Sequence, residues 1–247
     1  MRNKIIAGNW KMNGRLSDTE QLLHDLTCYQ AQLLQHVICV VFPPSIYLDM
    51  AQRILQSSKI QWGAQNCFFA ENGAFTGEIT AGMCKDFGCT YILVGHSERR
   101  QLFAETEKIV INKFYNVQAH GMIPILCIGE SELERENGQT DRVLEKQLTF
   151  LKDCDVDNIV IAYEPIWAIG SGQAASTAEI NAAHAYIRDY LTLIHSHKAE
   201  KISLLYGGSV NQHNAKDIFA CPNVDGALIG GASLYAQQFL EIIKCIN

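Results

Sequence analysis

The chain predicts an α/β fold built on a parallel sheet, and three features predict it. Eight short apolar runs rich in β-branched residues recur along the chain, helix-patterned stretches separate them, and no Pro/Ser-rich linker or low-complexity block interrupts the series. The runs span residues 4–8, 37–42, 60–64, 91–94, 123–128, 159–163, 203–206 and 226–229. They are almost continuously hydrophobic, as strands buried on both faces are. Eight such units within 247 residues suit a closed (β/α)8 barrel, one domain over 1–247, with an open doubly wound sheet as the alternative.

Each run carries its own punctuation. Run 4–8 leads into Asn9-Trp10-Lys11, and a helical stretch over 17–35 follows. Ser17 is placed to cap that helix, and Leu22, Leu23, Leu26, Leu33 and Leu34 share one of its faces. Run 91–94 ends in Gly95-His96-Ser97-Glu98, and run 123–128 in Gly129-Glu130, before a periodic stretch over 141–151. Run 159–163 ends on Glu164-Pro165, and the helix predicted over 176–197 opens Ser-Thr-Ala-Glu, a capping box by spacing. Runs 203–206 and 226–229 lead to Gly207-Gly208-Ser209 and Gly230-Gly231-Ala232-Ser233, and a last periodic stretch covers 232–243. Polar residues and glycines thus gather at the C-terminal end of the runs, where barrels of this kind carry their chemistry.

Composition narrows the function. Apolar residues make up 48% of the chain and charged residues 19%, enough for a full core and too few charges for a disordered chain. The net charge of −6 argues against nucleic acid or an anionic membrane as a partner, so an anionic ligand needs a site made locally positive by a few groups. No run approaches a membrane span, and Met1-Arg2-Asn3-Lys4 with its short apolar run is not a signal peptide. Nine cysteines without a C-x-x-C fit a reducing cytoplasm better than a disulfide framework.

The most informative stretch is 159–176. Its strand ends on Glu164, which Pro165 holds extended. Ile166-Trp167-Ala168-Ile169 then forms an apolar segment bracketed by Pro165 and by Gly170 and Gly172. Such a segment reads as a lid over the carboxylate, which loses water and becomes a stronger base when covered. A strand-to-helix connection with a buried tryptophan is the plainer reading. His96 stands where a helix would start, a position that favours neutral imidazole, able to donate to a carbonyl oxygen. No other His or Cys lies at ligand spacing from it, so a zinc site is not expected. By itself Lys11 reads as a surface lysine, but Asn9 and Lys11 alternate on an extended segment that could turn both to one side, where Lys11 would be the cation the composition lacks. The glycine pairs after the last two runs have phosphate-binding logic, since backbone N–H groups approach a ligand closely there. Gly170-Ser171-Gly172-Gln173-Ala174-Ala175 formally matches G-x-G-x-x-A, but it lies six residues from its strand and lacks the later acidic residue, so it is not a dinucleotide fingerprint.

Four motifs together carry a family resemblance. Asn9-Trp10-Lys11-Met12-Asn13, Gly95-His96-Ser97-Glu98-Arg99-Arg100, the run from Ala162 through Glu164-Pro165 to Gly170, and Tyr206-Gly207-Gly208-Ser209 resemble the triosephosphate isomerase family, in order and over the whole chain. The resemblance implies a TIM barrel that interconverts glyceraldehyde 3-phosphate and dihydroxyacetone phosphate without a cofactor. It implies Glu164 as base, His96 as electrophile, and Lys11 and Asn9 as substrate contacts. Gly170, Ser209, Gly230 and Gly231 would hold the phosphate, Glu98 would lie near Lys11 and His96, and Arg99 would brace its loop. The lid would run from Pro165 through Ile166, Trp167, Ala168, Ile169, Gly170, Ser171, Gly172, Gln173 and Ala174 to Ala175. The loop with Phe75 and Thr76 would reach into a second subunit, giving a homodimer. One departure stands out: the family's lid usually ends Gly-Thr-Gly-Lys-Thr-Ala, and this one has Gln173 and Ala174 at the hinge. A sugar-phosphate epimerase would share the glycine pairs but not the Glu164, His96 and Lys11 set. A non-catalytic barrel should have lost one of those three.

Overall fold

The computed structural model describes residues 2–34, 36–169 and 174–246. Its strands are β1 (Lys4–Asn9), β2 (Val37–Phe42), β3 (Gln61–Ala64), β4 (Tyr91–Val94), β5 (Ile123–Ile128), β6 (Val160–Tyr163), β7 (Ser203–Tyr206) and β8 (Gly226–Ile229). They close in sequence order into a parallel barrel, with β1 paired to both β2 and β8. The open-sheet alternative is therefore excluded.

Helices cover the outside: α1 (Leu16–Tyr29), α2 (Leu48–Leu55), α3 (Ala81–Asp86), α4 (Ser97–Leu102), α5 (Glu107–Ala119), α6 (Glu132–Glu136), α7 (Thr140–Leu148), α8 (Thr177–Ala199), α9 (Ala215–Phe219) and α10 (Ala236–Ile243). The capping box of α8 forms as spaced: Ser176 Oγ accepts the Glu179 N–H, and Glu179 accepts from the Ser176 N–H. The first helix differs from its expectation. It ends at Tyr29, passing into a short 3-10 turn, and Ser17 lies inside it instead of capping it. The Arg15 N–H donates to Asp18 there. The periodic stretch over 232–243 also divides, into a 3-10 turn at Gly231–Leu234 and then α10.

Two apolar layers hold the barrel. One lies between strands and helices and includes Ile6, Leu23, Val41, Phe114, Ile161 and Phe239. The other fills the interior with Ile5, Ala7, Val40, Phe42, Tyr91, Leu93, Ile125, Cys127, Val160, Ala162, Leu205 and Leu228. Side chains alternate along a strand, so inward positions recur every second residue. That parity determines what tops the interior. Ile5 and Ala7 lead to Asn9, Ile125 and Cys127 to Gly129, Val160 and Ala162 to Glu164, Leu205 to Gly207, and Leu228 to Gly230. The same parity leads Phe42 to Pro44 and Leu93 to Gly95, so the layer above the packed core includes one carboxylate, one amide, one proline and four glycines.

Candidate active site

Glu164 is 2% exposed and sits on a floor of glycines. A Cβ at Gly129 would lie 1.8 Å from the Glu164 carbonyl oxygen, and one at Gly207 would lie 2.8 Å from Glu164 Cγ. Only glycine lets the neighbouring strands approach this closely. The carboxylate itself is held by β4's end: Oε2 accepts the Ser97 N–H at 2.9 Å, and Oε1 faces His96 Nε2 at 3.1 Å. Beneath it lies Cys127, fully buried, whose thiol is pushed well up first by burial and then by the Glu164 charge, so it stays protonated.

His96 is the N-cap of α4, and its Nδ1 accepts the Glu98 N–H at 3.3 Å. A ring nitrogen that accepts a backbone N–H carries no proton, so the imidazole is the neutral tautomer with its proton on Nε2. That N–H points into the barrel mouth.

Lys11 does not continue an extended segment, as the alternation reading expects. Its φ is +53°, in the left-handed region, and its N–H turns back onto Asn9 Oδ1 at 3.0 Å. A non-glycine residue there costs free energy and must be held by its surroundings. The holder is Gln65, whose Nε2 donates to the Lys11 carbonyl at 2.9 Å and to the Phe42 carbonyl at 2.8 Å. Lys11 Nζ reaches Glu98 Oε1 at 2.5 Å. Arg99 bonds Glu105 and stacks over the Phe103 ring at 4.7 Å, bracing the turn after α4.

Asn9, Lys11, His96, Glu164, Ser209, Gly230 and Gly231 line one cavity of about 520 Å3. Glu98 and Arg99 instead line an adjoining cavity of about 430 Å3, shared with Asn9, Lys11, Met12, Gly77 and Phe103. Ser209 Oγ donates to the Ala168 carbonyl at 2.9 Å. Phe75 lies away from the site, packed on Phe68 with ring centroids 4.5 Å apart, and is 44% exposed. Thr76 is also exposed. Gly170, Ser171, Gly172 and Gln173 lie outside the described residues.

The flanks of the segment after Glu164 are tied to the barrel through a residue whose role sequence reading missed. Glu130, 1% exposed, accepts from Trp167 Nε1 at 2.9 Å and from the Tyr163 hydroxyl at 3.1 Å, and its carbonyl accepts the Ile166 N–H. Burial holds its carboxyl above the ordinary value, partly offset by those donors. Pro165 and the 3-10 turn Ile166–Ala168 are thereby anchored at one end, and Ile169 follows. At the other end the Ala175 N–H donates to the Tyr206 hydroxyl at 3.1 Å, one residue past Ala174. Burial pushes that hydroxyl's pKa up to about 12, so it stays protonated. The only advance signal for Glu130 was its place after β5; nothing local singled out Gln65.

A family model described as triosephosphate isomerase matches residues 4–246 of this chain. The chain belongs to the triosephosphate isomerase family. Relatives named triosephosphate isomerase include one from Legionella pneumophila (strain Lens), 49% identical with all of both chains covered. Another, from Hahella chejuensis, is 44% identical over 99% of this chain and 98% of its own. A third, from Escherichia coli O1:K1 / APEC, is 42% identical over 99% of this chain and 97% of its own. Within this family the pairing of a glutamate base with a neutral histidine is already established. In this chain Glu164 Oε1 and His96 Nε2 stand 3.1 Å apart.

Proposed function

We propose that this chain interconverts D-glyceraldehyde 3-phosphate and dihydroxyacetone phosphate through an enediolate, a step of glycolysis and gluconeogenesis. The observation that carries the reading is the 3.1 Å approach of His96 Nε2 to Glu164 Oε1, in a cavity that Lys11 also lines. Glu164 removes the proton from the carbon next to the carbonyl, and the electron pair moves onto the carbonyl oxygen. His96 donates its Nε2 hydrogen bond to that oxygen, and the Lys11 ammonium stabilises the developing negative charge. The hydroxyl proton of the first carbon passes to the former carbonyl oxygen, and Glu164 returns its proton to the neighbouring carbon as the first carbon's oxygen becomes the new carbonyl. The oxidation of one carbon balances the reduction of the other, so the reaction needs no external redox partner. Asn9 contacts the substrate, while Gly170, Ser209, Gly230 and Gly231 receive its phosphate. The segment from Pro165 to Ala175 is the lid that excludes water from the enediolate.

The same reading makes the chain one domain and a cytoplasmic homodimer. Support for the dimer is the adjoining cavity beside Lys11, rimmed by Met12 at 96% and Phe103 at 63% exposure, with the Phe75 and Thr76 loop as the element that would fill it in a partner. Nine free cysteines, most of them buried, suit a reducing compartment. A coupled assay of the full chain with glyceraldehyde 3-phosphate tests the activity, and absence of turnover refutes it. Sedimentation at micromolar concentration should give a dimer; a monomer alone refutes the assembly.

A further inference from the structure

One side chain outside the barrel mouth grips both flanks of the lid. Arg135, on α6, lays its guanidinium over the Trp167 ring, 3.9 Å from the centroid. Through Nη2 the same guanidinium is bonded to the Glu179 carboxylate. Trp167 lies three residues past Glu164, and Glu179 is in the first turn of α8, just beyond Ala175. Glu179's other oxygen accepts from both the Ser176 N–H and the Ser176 hydroxyl, each at 2.8 Å. Those bonds, the backbone one first, hold its carboxyl below the ordinary range and keep it charged for Arg135.

The indole is therefore fixed twice from one side of the barrel. Glu130, just after β5, takes its N–H, and Arg135, one short helix later, covers its face. Arg135 is not among the residues that line the cavity with Glu164 and His96. A planar guanidinium can stack and bond in its own plane at once, which a lysine ammonium cannot.

We propose that Arg135 is a positioning residue for the isomerisation: by stacking on Trp167 and bonding Glu179 it ties the start of the lid to the helix that follows its end, and so sets how the lid seats over Glu164. The kinetic part of this inference rests on the isomerase reading above. The contact itself does not.

The test uses the full chain carrying 5-fluorotryptophan, as wild type and as Arg135→Ala, Arg135→Lys and Glu179→Gln. Fluorine NMR gives one resonance for each of the three tryptophans, and the one missing from Trp167→Phe is Trp167. Stacking of this kind in a partly exposed site corresponds to about a two- to fivefold effect. Arg135→Ala should move the Trp167 resonance and lower kcat by about that factor, with a smaller change in KM. Arg135→Lys should recover only part of both, and Glu179→Gln should move the resonance the same way. An unmoved resonance in Arg135→Ala overturns the proposal whatever happens to Tm, because a merely stabilising surface pair would change Tm alone. A moved resonance with unchanged kcat overturns it as well. If Arg135→Ala fails to fold, the lysine and Glu179→Gln variants decide, and unmoved resonances in both overturn it. A wild type without isomerase activity would sink the functional reading and the positioning role together, with the resonance still reporting whether Arg135 holds Trp167.

Discussion

Replacing Gly207 with alanine is the sharpest test of how Glu164 is positioned. Gly207 continues the inward parity of β7 and lies directly against Glu164. The added Cβ would sit 2.8 Å from Glu164 Cγ and 3.2 Å from the Tyr163 carbonyl oxygen. Comfortable carbon–carbon contact begins near about 3.5 Å, so Glu164 Cγ must retreat by roughly 0.7 Å. The Tyr163 oxygen is no escape route, because it accepts the Gly207 N–H at 2.7 Å within the strand pairing. The carboxylate has little room on its other side either, pinned by Ser97 and His96. Misplacement by about 1 Å costs on the order of 10²-fold in rate, so a shift of this size should cost roughly 20- to 100-fold in kcat. Overpacking should also lower stability by about 1–3 kcal/mol. Steady-state kinetics of Gly207→Ala, at a temperature where circular dichroism shows it fully folded, gives the answer. A kcat within about twofold of wild type would mean that Glu164 is not held by this contact, or is not the base.

Other perturbations probe separate parts of the structure. Lys11→Ala should nearly abolish turnover while leaving the far-UV spectrum intact, since it removes the ammonium beside the developing charge; an unchanged kcat/KM would remove Lys11 from the site. His184 is fully buried, and desolvation first and Arg188 next depress its pKa to about 4 from 6.5, against a bond to the Asn223 carbonyl. Because the folded value is the lower one, the unfolded chain takes up the proton first: the contribution is complete above pH 6.5 and is lost as pH falls to about 4. That loss is about 3 kcal/mol, and denaturant titrations of wild type and His184→Gln across this window should diverge by it; parallel curves would contradict the assignment. Ala104 has φ +53° on an exposed turn, so Ala104→Gly should raise Tm by about 1–4 °C, and a lower Tm would show that the turn is not strained.

What could be read in advance was local. The eight strands were visible because a strand covered on both faces needs an unbroken apolar run, and all eight observed strands begin and end within one residue of the expected limits. The α8 capping box involves residues three apart, so spacing alone revealed it. The end of α1 was not legible, because leucines recur beyond Tyr29 although the chain there turns into a 3-10 segment on its way to β2. Spacing also misplaced Ser17, since a capping residue is chosen by where the backbone becomes extended, and here that is Arg15.

The sequence by itself determined the barrel, the polar rim above it and the presence of Glu164, His96 and Lys11, because each depends on residue type and on a period of two along a strand. Only the tertiary structure decided how those groups are held. The backbone of Lys11 is stabilised by Gln65, 54 positions away; Trp167 is bonded to Glu130, 37 positions away; and Arg135 reaches Glu179 across 44. No periodicity spans such separations. The first two contacts exist because barrel closure sets the ends of β1, β3, β5 and β6 around one mouth, and the third because it places the helices that follow β5 and β6 side by side.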